Sequence, residues 1–207
     1  HYSTDYVFDG SGENPWQEHD PPQPLNAYGR SKLAGEESIR AVRGRHLIFR
    51  TAWVYAARRQ NFLRNMLRLA CERSVLEVVD DQYGTPTEAG LIADATAQAI
   101  QSALAKPEIC GTYHLTATGV TTWHGYASFL IEQASQMGFP TKVHPEAIEP
   151  VSSDAFPTAA RRPHNSRLDC TRFDETFEFK RPHWKEGVVK VLKGIAAREG
   201  FRAKHES

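Results

Sequence analysis

A tyrosine and a lysine stand four residues apart in the segment Asn26-Ala27-Tyr28-Gly29-Arg30-Ser31-Lys32. Residues with this spacing share one face of an α-helix, so Tyr28 and Lys32 are expected side by side near a helix start. An ammonium about 4 Å from a phenol is worth roughly 4 kcal/mol at an effective dielectric near 20, and it favours the phenolate. The pair therefore predicts a general acid that is usable at physiological pH.

The spacing alone is a weak signal. With seven Tyr and eight Lys in 207 residues, a chance pair of this kind is expected roughly a quarter of the time. The alternative is an ordinary helix whose tyrosine packs inward and whose lysine is solvated. The surrounding sequence has to decide between the two.

Composition excludes several classes of partner. The chain has 25 basic and 25 acidic residues and a pI of about 7.3, so it carries no electrostatic footprint for nucleic acid. Its apolar runs fall short of the roughly 18 residues of a membrane helix, and no signal-peptide pattern opens it. We expect a soluble cytoplasmic protein without a membrane partner. Because the chain begins at His1, without Met and inside a strand-like segment, we also expect a fragment.

The cysteines and histidines give no support for a metal site. Cys71, Cys110 and Cys170 are odd in number, widely spaced and outside any C-x-x-C pattern, so we expect reduced thiols that serve as small core residues. The nine histidines include no H-x-x-x-H pair. We therefore predict that the protein has no metal ligands.

Hydrophobic periodicity predicts alternating strands and helices. The expected strands cover about 1–4, 46–55, 75–79, 111–116 and part of 141–150; the expected helices cover about 27–43, 62–73, 88–105, from Thr121 or Thr122 to Met137, and 184–198. Asn26 is the expected N-cap of the first helix and Gly44 its stop. This alternation is typical of an α/β sheet, and the looser C-terminal third predicts a small cap beside it.

Thr4 lies at the end of the first predicted strand. In an open parallel sheet, ligands bind at the carboxyl ends of strands, so a hydroxyl at this position is a candidate contact to a substrate. The proline-rich segment 11–25 then predicts an ordered loop between this strand end and the helix that carries Tyr28.

Five ordered blocks resemble one family over nearly the whole chain. They are Ser3-Thr4-Asp5-Tyr6-Val7-Phe8-Asp9-Gly10, Pro24 to Glu36 around Tyr28, Arg50-Thr51-Ala52-Trp53-Val54-Tyr55, Asp81-Gln82-Tyr83-Gly84-Thr85-Pro86-Thr87, and Arg162-Pro163-His164-Asn165-Ser166-Arg167-Leu168-Asp169. Together they resemble the dTDP-4-dehydrorhamnose reductase family of extended short-chain dehydrogenases.

The resemblance implies the C-terminal part of a Rossmann-like doubly wound parallel sheet with a small α/β substrate-binding cap. Residues 1–110 would carry the Tyr-x-x-x-Lys half of the sheet, and residues 111–207 mainly the substrate-binding cap with some return to the sheet. The implied reaction is reduction of the 4-keto group of dTDP-4-dehydro-6-deoxy-L-mannose by NADPH or NADH, giving dTDP-L-rhamnose for lipopolysaccharide O-antigen and related polysaccharides. The implied partner is a dTDP-sugar, and a homodimer is compatible with the sequence.

The resemblance also implies the residue roles. Tyr28 would protonate the carbonyl oxygen, Lys32 would support the phenolate and touch the nicotinamide ribose, and Thr4 would orient the same oxygen. Tyr2 would meet the cofactor through its backbone, and Asp5 would lie beside the sugar.

Other implied contacts have plain structural alternatives. Trp53 would line the sugar pocket, but an aromatic residue on a buried strand is as readily core. Arg161, Arg162 and Arg167 would contact the nucleotide diphosphate, or they form a solvated basic turn. Thr4 would alternatively bond a neighbouring backbone group. Asp80 and Asp81 are expected to be turn residues.

The sequence lacks the glycine-rich turn that grips a dinucleotide, since Gly10-Ser11-Gly12 is followed by no predicted helix. We therefore expect these 207 residues alone to fold at best in part, to bind NADPH weakly or not at all, and to be inactive. The preference between NADH and NADPH stays open.

Two other functions compete with the reductase. One is a nucleotide-sugar epimerase or dehydratase of the same superfamily, although dehydratases tend to follow the strand-end Thr-Asp with Glu, where this chain has Tyr6. The other is a regulatory protein resembling the beta subunit of methionine adenosyltransferase, which needs no turnover. The joint presence of Thr4, Tyr28 and Lys32 favours the enzyme.

Overall fold

The computed structural model describes residues 1–155 and 161–200 as an α/β protein. Its strands are β1 (Tyr2–Thr4), β2 (Leu47–Thr51), β3 (Val54–Tyr55), β4 (Leu76–Val79), β5 (Tyr83–Gly84), β6 (Thr87–Glu88), β7 (Gly111–His114), β8 (Thr121–Thr122) and β9 (Ile148–Val151). Its α-helices are α1 (Ala27–Ala41), α2 (Phe62–Glu72), α3 (Ala89–Ala105), α4 (Trp123–Gln136), α5 (Thr171–Phe177) and α6 (Trp184–Glu199). The predicted alternation of strands and helices is confirmed.

The central sheet is parallel, in the order β1-β2-β7, and helices cover both of its faces. Successive side chains of a strand point to opposite faces, and β2 shows the result. Arg50 contacts Glu36 of α1, whereas Phe49 packs in one cluster with Ile92 and Ala95 of α3. Helices on both faces of a parallel sheet are the doubly wound arrangement that the sequence predicts.

The predicted start of α1 is confirmed, but its stop differs. The Asn26 side chain accepts a hydrogen bond from the Gly29 amide at 2.9 Å, as an N-cap does. The helix ends at Ala41, and the residue in the left-handed region is Arg43, with φ of 56°, where the sequence suggested Gly44. The chain therefore turns one residue before the glycine.

A second layer lies beside the sheet. Strands β4 and β9 pair in parallel, and helices α2, α4 and α6 share one apolar cluster with them, including Leu63, Leu130, Ile148 and Leu192. Elements from both sides of residue 110 enter each layer, because β7 belongs to the central sheet and β4 to the second one. A division at residue 110 therefore does not separate the two layers.

Three local expectations from the sequence are wrong. The strand expected over 46–55 is split into β2 and β3, because Trp53 adopts a positive φ of 49°. Helix α5 was not expected, although Phe173 and Phe177 bury one face of it. Of the three free cysteines, Cys170 alone is buried, while Cys71 and Cys110 are half-buried, so they are not all core residues.

Within the described residues, no helix is long and apolar enough to cross a membrane. The same residues contain no group of three or more His, Cys, Asp or Glu side chains that could hold a metal ion.

Candidate active site

Thr4 is the buried last residue of β1, and it caps a one-turn 3₁₀ helix formed by Asp5–Val7. Its Oγ1 accepts a hydrogen bond from the Tyr6 amide at 3.2 Å and donates to Asp5 Oδ1 at 3.0 Å. Thr4 thus bonds a neighbouring backbone group, and a contact of its hydroxyl with the substrate stays a prediction. The hydroxyl also stands at the carboxyl end of a parallel strand, where ligands bind.

A close backbone approach brings Tyr28 to this strand end. Gly29 follows Tyr28 in the first turn of α1, and a Cβ at Gly29 would clash with the carbonyl oxygen of Tyr6. Only glycine allows this contact. The rings of Tyr6 and Tyr28 then meet edge to face, with centroids 5.7 Å apart. The helix start is therefore held against the turn that Thr4 caps.

Tyr28 and Lys32 face outward from α1. The Tyr28 side chain is 55% exposed, so the alternative of a tyrosine packed into the core is wrong. Lys32 is half-buried. Among residues 1–155 and 161–200, neither the phenol oxygen nor the ammonium has a hydrogen-bond or salt-bridge partner. Both polar groups are thus available to a ligand.

Asp5 is a buried carboxyl beside Thr4. Burial raises its pKa to about 6, and the hydroxyls of Ser166 and Thr4 lie close enough to oppose part of that rise. Its Oδ2 atom is buried without a hydrogen-bond partner in the described part of the chain. An unpaired buried acceptor next to a strand-end hydroxyl suits contact with a polar ligand.

The segment 161–168 folds over the strand ends. The Asn26 amide donates to the Arg161 carbonyl oxygen at 3.0 Å, which places Arg161 beside the start of α1. A Cβ at Gly10, where φ is 74°, would clash with Pro163. Arg162 lies near Tyr6 and partly offsets the burial that raises the pKa of Tyr6 to about 12. Arg161 and Arg162 are exposed next to the candidate site.

Asn165 fastens this segment to the loop after β1. Its Nδ2 donates to the carbonyl oxygens of Asn14 at 2.8 Å and Ser11 at 3.3 Å, and its backbone amide donates to Gly10. Arg167 lies over the Tyr83 ring, 4.6 Å from its centroid, and bonds the Glu13 carbonyl. Arg167 thus connects two loops, and a contact of its remaining guanidinium nitrogens with a diphosphate stays a prediction.

Trp53 is partly buried and sits in a strained backbone conformation. Its ring stacks on Trp123 with centroids 3.6 Å apart, and Gly84 leaves room for it, since a Cβ there would clash with the indole. Trp123 in turn donates from Nε1 to Gln82 Oε1 at 3.1 Å. A positive φ is rare for a bulky residue and persists only where its surroundings impose it. A role of Trp53 in the sugar pocket stays a prediction.

Tyr2 lies on the far face of β1. Its hydroxyl is 2.9 Å from Thr96 Oγ1 of α3, and its ring packs on Phe49. The Tyr2 side chain is therefore directed to α3 and away from α1, and the backbone contact to a cofactor stays a prediction. Asp81 accepts hydrogen bonds from Ser152 and Ser153, the structural role expected of a turn residue.

A buried ion pair that the sequence analysis missed fixes α1 to the sheet. Arg50 donates to Glu36 through Nε at 2.9 Å and Nη2 at 2.7 Å, and Ser3 donates to the same carboxylate at 2.5 Å. Burial alone would raise the pKa of Glu36, but the Arg50 hydrogen bonds and charge hold it below 4.5. The available signals were an arginine inside an apolar strand and a glutamate four residues after Lys32.

Comparison with known proteins connects this geometry to one family. The family model described as the RmlD substrate binding domain matches residues 1–197. The chain is 50% identical over 192 residues to the dTDP-4-dehydrorhamnose reductase of Escherichia coli K12, covering 93% of the chain and 64% of that relative.

Two solved structures agree. The dTDP-4-dehydrorhamnose reductase of Bacillus anthracis in complex with NADP has a TM-score of 0.83 at 32% identity, covering 93% of the chain and 64% of that protein. The Clostridium acetobutylicum enzyme has a TM-score of 0.80 at 32% identity, covering 94% and 64%. The chain thus spans about 64% of the length of these relatives and shares their Rossmann-like fold. It belongs to the family of the RmlD substrate binding domain.

Proposed function

We propose that this chain supplies the proton donor and much of the sugar site of an NADPH-dependent dTDP-4-dehydrorhamnose reductase. The observation that carries the proposal is the contact of α1 with the strand-end turn, which sets the exposed Tyr28 phenol against the turn that Thr4 caps. The proposed reaction is reduction of the 4-keto group of dTDP-4-dehydro-6-deoxy-L-mannose to dTDP-L-rhamnose. Relatives that are named for this reduction support it.

The free polar groups fit one end of a dinucleotide. The Lys32 ammonium and Tyr28 phenol lack protein partners in the described residues, which suits contact with a nicotinamide ribose. The sequence contains no glycine-rich turn that could cradle the pyrophosphate, so this chain offers a grip only at the nicotinamide end. NADPH is favoured over NADH because the Bacillus anthracis neighbour is an NADP complex.

Bound NADPH would supply the hydride that attacks the carbonyl carbon. Tyr28 donates its phenolic proton to the carbonyl oxygen, which becomes the hydroxyl of the product. Lys32, one helical turn further on, stabilises the phenolate left behind. Thr4 orients the same oxygen, for which its hydroxyl must turn away from Asp5 Oδ1.

The remaining polar residues would bind the substrate. Asp5 presents an unpaired buried oxygen that can accept a hydrogen bond from a sugar hydroxyl. Arg161, held beside Asn26 by its backbone, can pair with the diphosphate through a bidentate guanidinium. Trp53, which is partly buried, would line the sugar pocket. A homodimer and a cytoplasmic location complete the proposal.

The test is an assay of NADPH oxidation in a protein of the relatives' length that carries this chain. We expect oxidation only when dTDP-4-dehydrorhamnose is present, with dTDP-L-rhamnose as the product identified by NMR. Turnover of a dTDP- or UDP-hexose without net NADPH consumption would instead identify an epimerase or dehydratase. No turnover with any ketosugar, together with capture of a methionine adenosyltransferase, would favour the regulatory alternative.

A calorimetric titration of NADPH into the 207-residue chain tests the partial grip. We expect weak binding or none, because the pyrophosphate normally meets free N–H groups at a helix N-terminus. Micromolar binding at one site per chain would contradict that expectation.

A further inference from the structure

A second concave surface lies between α2 and the end of α6. This arginine cleft has a volume of about 690 Å³ and is lined by the loop before α2, by outward residues of α2 and by the last turn of α6. Its arginines are Arg58, Arg59, Arg64, Arg68 and Arg198, and its one carboxylate is Glu199. None of Thr4, Asp5, Tyr28 or Lys32 lines it. The cleft is thus separate from the candidate active site.

The loop at the mouth of the cleft is held in place. Asn61 caps α2 by accepting from the Arg64 amide at 3.1 Å, and its Nδ2 donates to the carbonyl oxygen of Ala56 at 2.8 Å and that of Arg59 at 3.2 Å. Arg59 adopts a left-handed φ of 63°, which costs a non-glycine residue free energy. Strain that the surrounding bonds maintain is a reason to look for function.

The guanidiniums are only partly neutralised. Arg64 pairs with Glu199 across the two helices at 2.9 Å, and Arg68 pairs with Glu72 at 2.6 Å. Arg58, Arg59 and Arg198 have no carboxylate partner within residues 1–155 and 161–200. As far as residues 1–155 and 161–200 show, three positive charges therefore stay uncompensated around one concavity.

We propose that the arginine cleft is a second anion site, which takes a small molecule of the diphosphate class. Two linked phosphoryl groups carry about three to four negative charges, which matches the uncompensated guanidiniums. Guanidinium groups bind phosphoryl oxygens in a bidentate manner, and the cleft volume is within the range of small-molecule sites. A concave cleft of this size suits a compact anion better than an extended polymer.

The test is calorimetric titration of inorganic pyrophosphate into a protein of the relatives' length that carries this chain. We expect one site per chain, weakened by at least about tenfold in the double variant Arg58→Gln/Arg59→Gly. Arg43→Gly is the matched control, because Arg43 is also an exposed arginine with a positive φ, of 56°, but lies outside the cleft. Both glycine substitutions relieve strain, so a fold defect is not the expected cause of any difference.

A further variant separates the two anion sites. Arg161→Gln/Arg162→Gln alters the arginines near Tyr28 and is expected to leave pyrophosphate affinity at the cleft unchanged. The proposal is overturned if millimolar pyrophosphate gives no heat, or if the Arg161/Arg162 variant abolishes binding while the Arg58/Arg59 variant retains it. It is also overturned if Arg43→Gly weakens binding as much as the cleft variant does.

Discussion

One face of α1 carries Tyr28 at its start and Glu36 further along, and these two ends differ in exposure and in hydrogen bonding. Tyr28, Lys32 and Glu36 follow one another at four-residue intervals, so they line one side of the helix. Tyr28 is 55% exposed with no hydrogen-bond partner among the described residues, whereas Glu36 is fully buried and bonded to Ser3, Arg40 and Arg50.

This difference indicates that the two ends of the helix have different roles. The buried end fixes the helix to β1 and β2, and the exposed end leaves its polar groups free for ligands. The catalytic role proposed for Tyr28 and Lys32 needs groups that are held in position but not already paired, and the two ends of α1 fit both needs.

The largest expected effect comes from removing Glu36, the buried carboxylate that fixes α1 to β1 and β2. Glu36→Ala would leave the Arg50 guanidinium buried without its carboxylate and should reduce the free energy of unfolding by about 3–5 kcal/mol. Urea unfolding followed by tryptophan fluorescence measures this loss. Glu37→Ala, at the exposed neighbouring position, is the matched control and should change stability by less than about 0.5 kcal/mol. A loss below about 1 kcal/mol for Glu36→Ala would contradict the claim that the buried Glu36–Arg50 pair fixes α1 to the sheet.

A smaller effect concerns His114, a fully buried residue of β7 that lies opposite Arg50 of β2 in the central sheet. Its Nδ1 faces the carbonyl oxygens of Trp16 and Asp169, and so carries the proton. Burial, and then the Arg50 charge, lower the pKa of His114 from 6.5 to about 3. Below pH 6.5 the unfolded chain binds a proton that the folded chain refuses, so stability falls as pH drops, by about 2 kcal/mol at pH 5.

The contribution of His114 is measured by comparing the unfolding free energy at pH 7 and pH 5 for the His114→Asn variant and the parent. The asparagine amide can keep the donor but does not titrate. A variant with the same pH dependence as the parent would show that His114 titrates normally in the fold. Glu36 stays ionised over this range because its pKa is lowered from 4.5.

Asp5 should have the opposite and smaller pH dependence. Its pKa is raised from 3.8 to about 6, so below pH 6 the folded chain binds a proton that the unfolded chain does not. Stability should rise by about 1 kcal/mol between pH 6 and pH 5. Asp5→Asn should abolish this rise. The variant should therefore lose stability more steeply than the parent as the pH falls. An unchanged profile would mean that the carboxyl reaches solvent.

Local signals in the sequence were sufficient for the described α-helices other than α5 and for the exposed half of the candidate site. Asn26 and the apolar periodicity located α1, and the spacing of Tyr28 and Lys32 gave their shared face. The Glu36–Arg50 pair could not be predicted in this way, because it joins a helix to a strand through the fold.

Features that depend on contacts between distant segments of the chain were also missed. Trp53 interrupts its strand because of its stack on Trp123, 70 residues later in the chain. The contact between Asn26 and Arg161 likewise depends on how segment 161–168 folds back. Propensity and periodicity describe a segment by itself, and these features arise only when distant segments meet.

The most direct test of the account measures kcat and unfolding free energy together for Tyr28→Phe, in a protein of the relatives' length that carries this chain. We expect kcat to fall by about 10² to 10⁴ with stability and NADPH affinity nearly unchanged, since the hydroxyl is exposed and donates only in the reaction. Thr4→Val should cost less, and Lys32→Ala should also weaken cofactor binding. A Tyr28→Phe enzyme that keeps most of its kcat would contradict the assignment of the exposed end of α1 to catalysis.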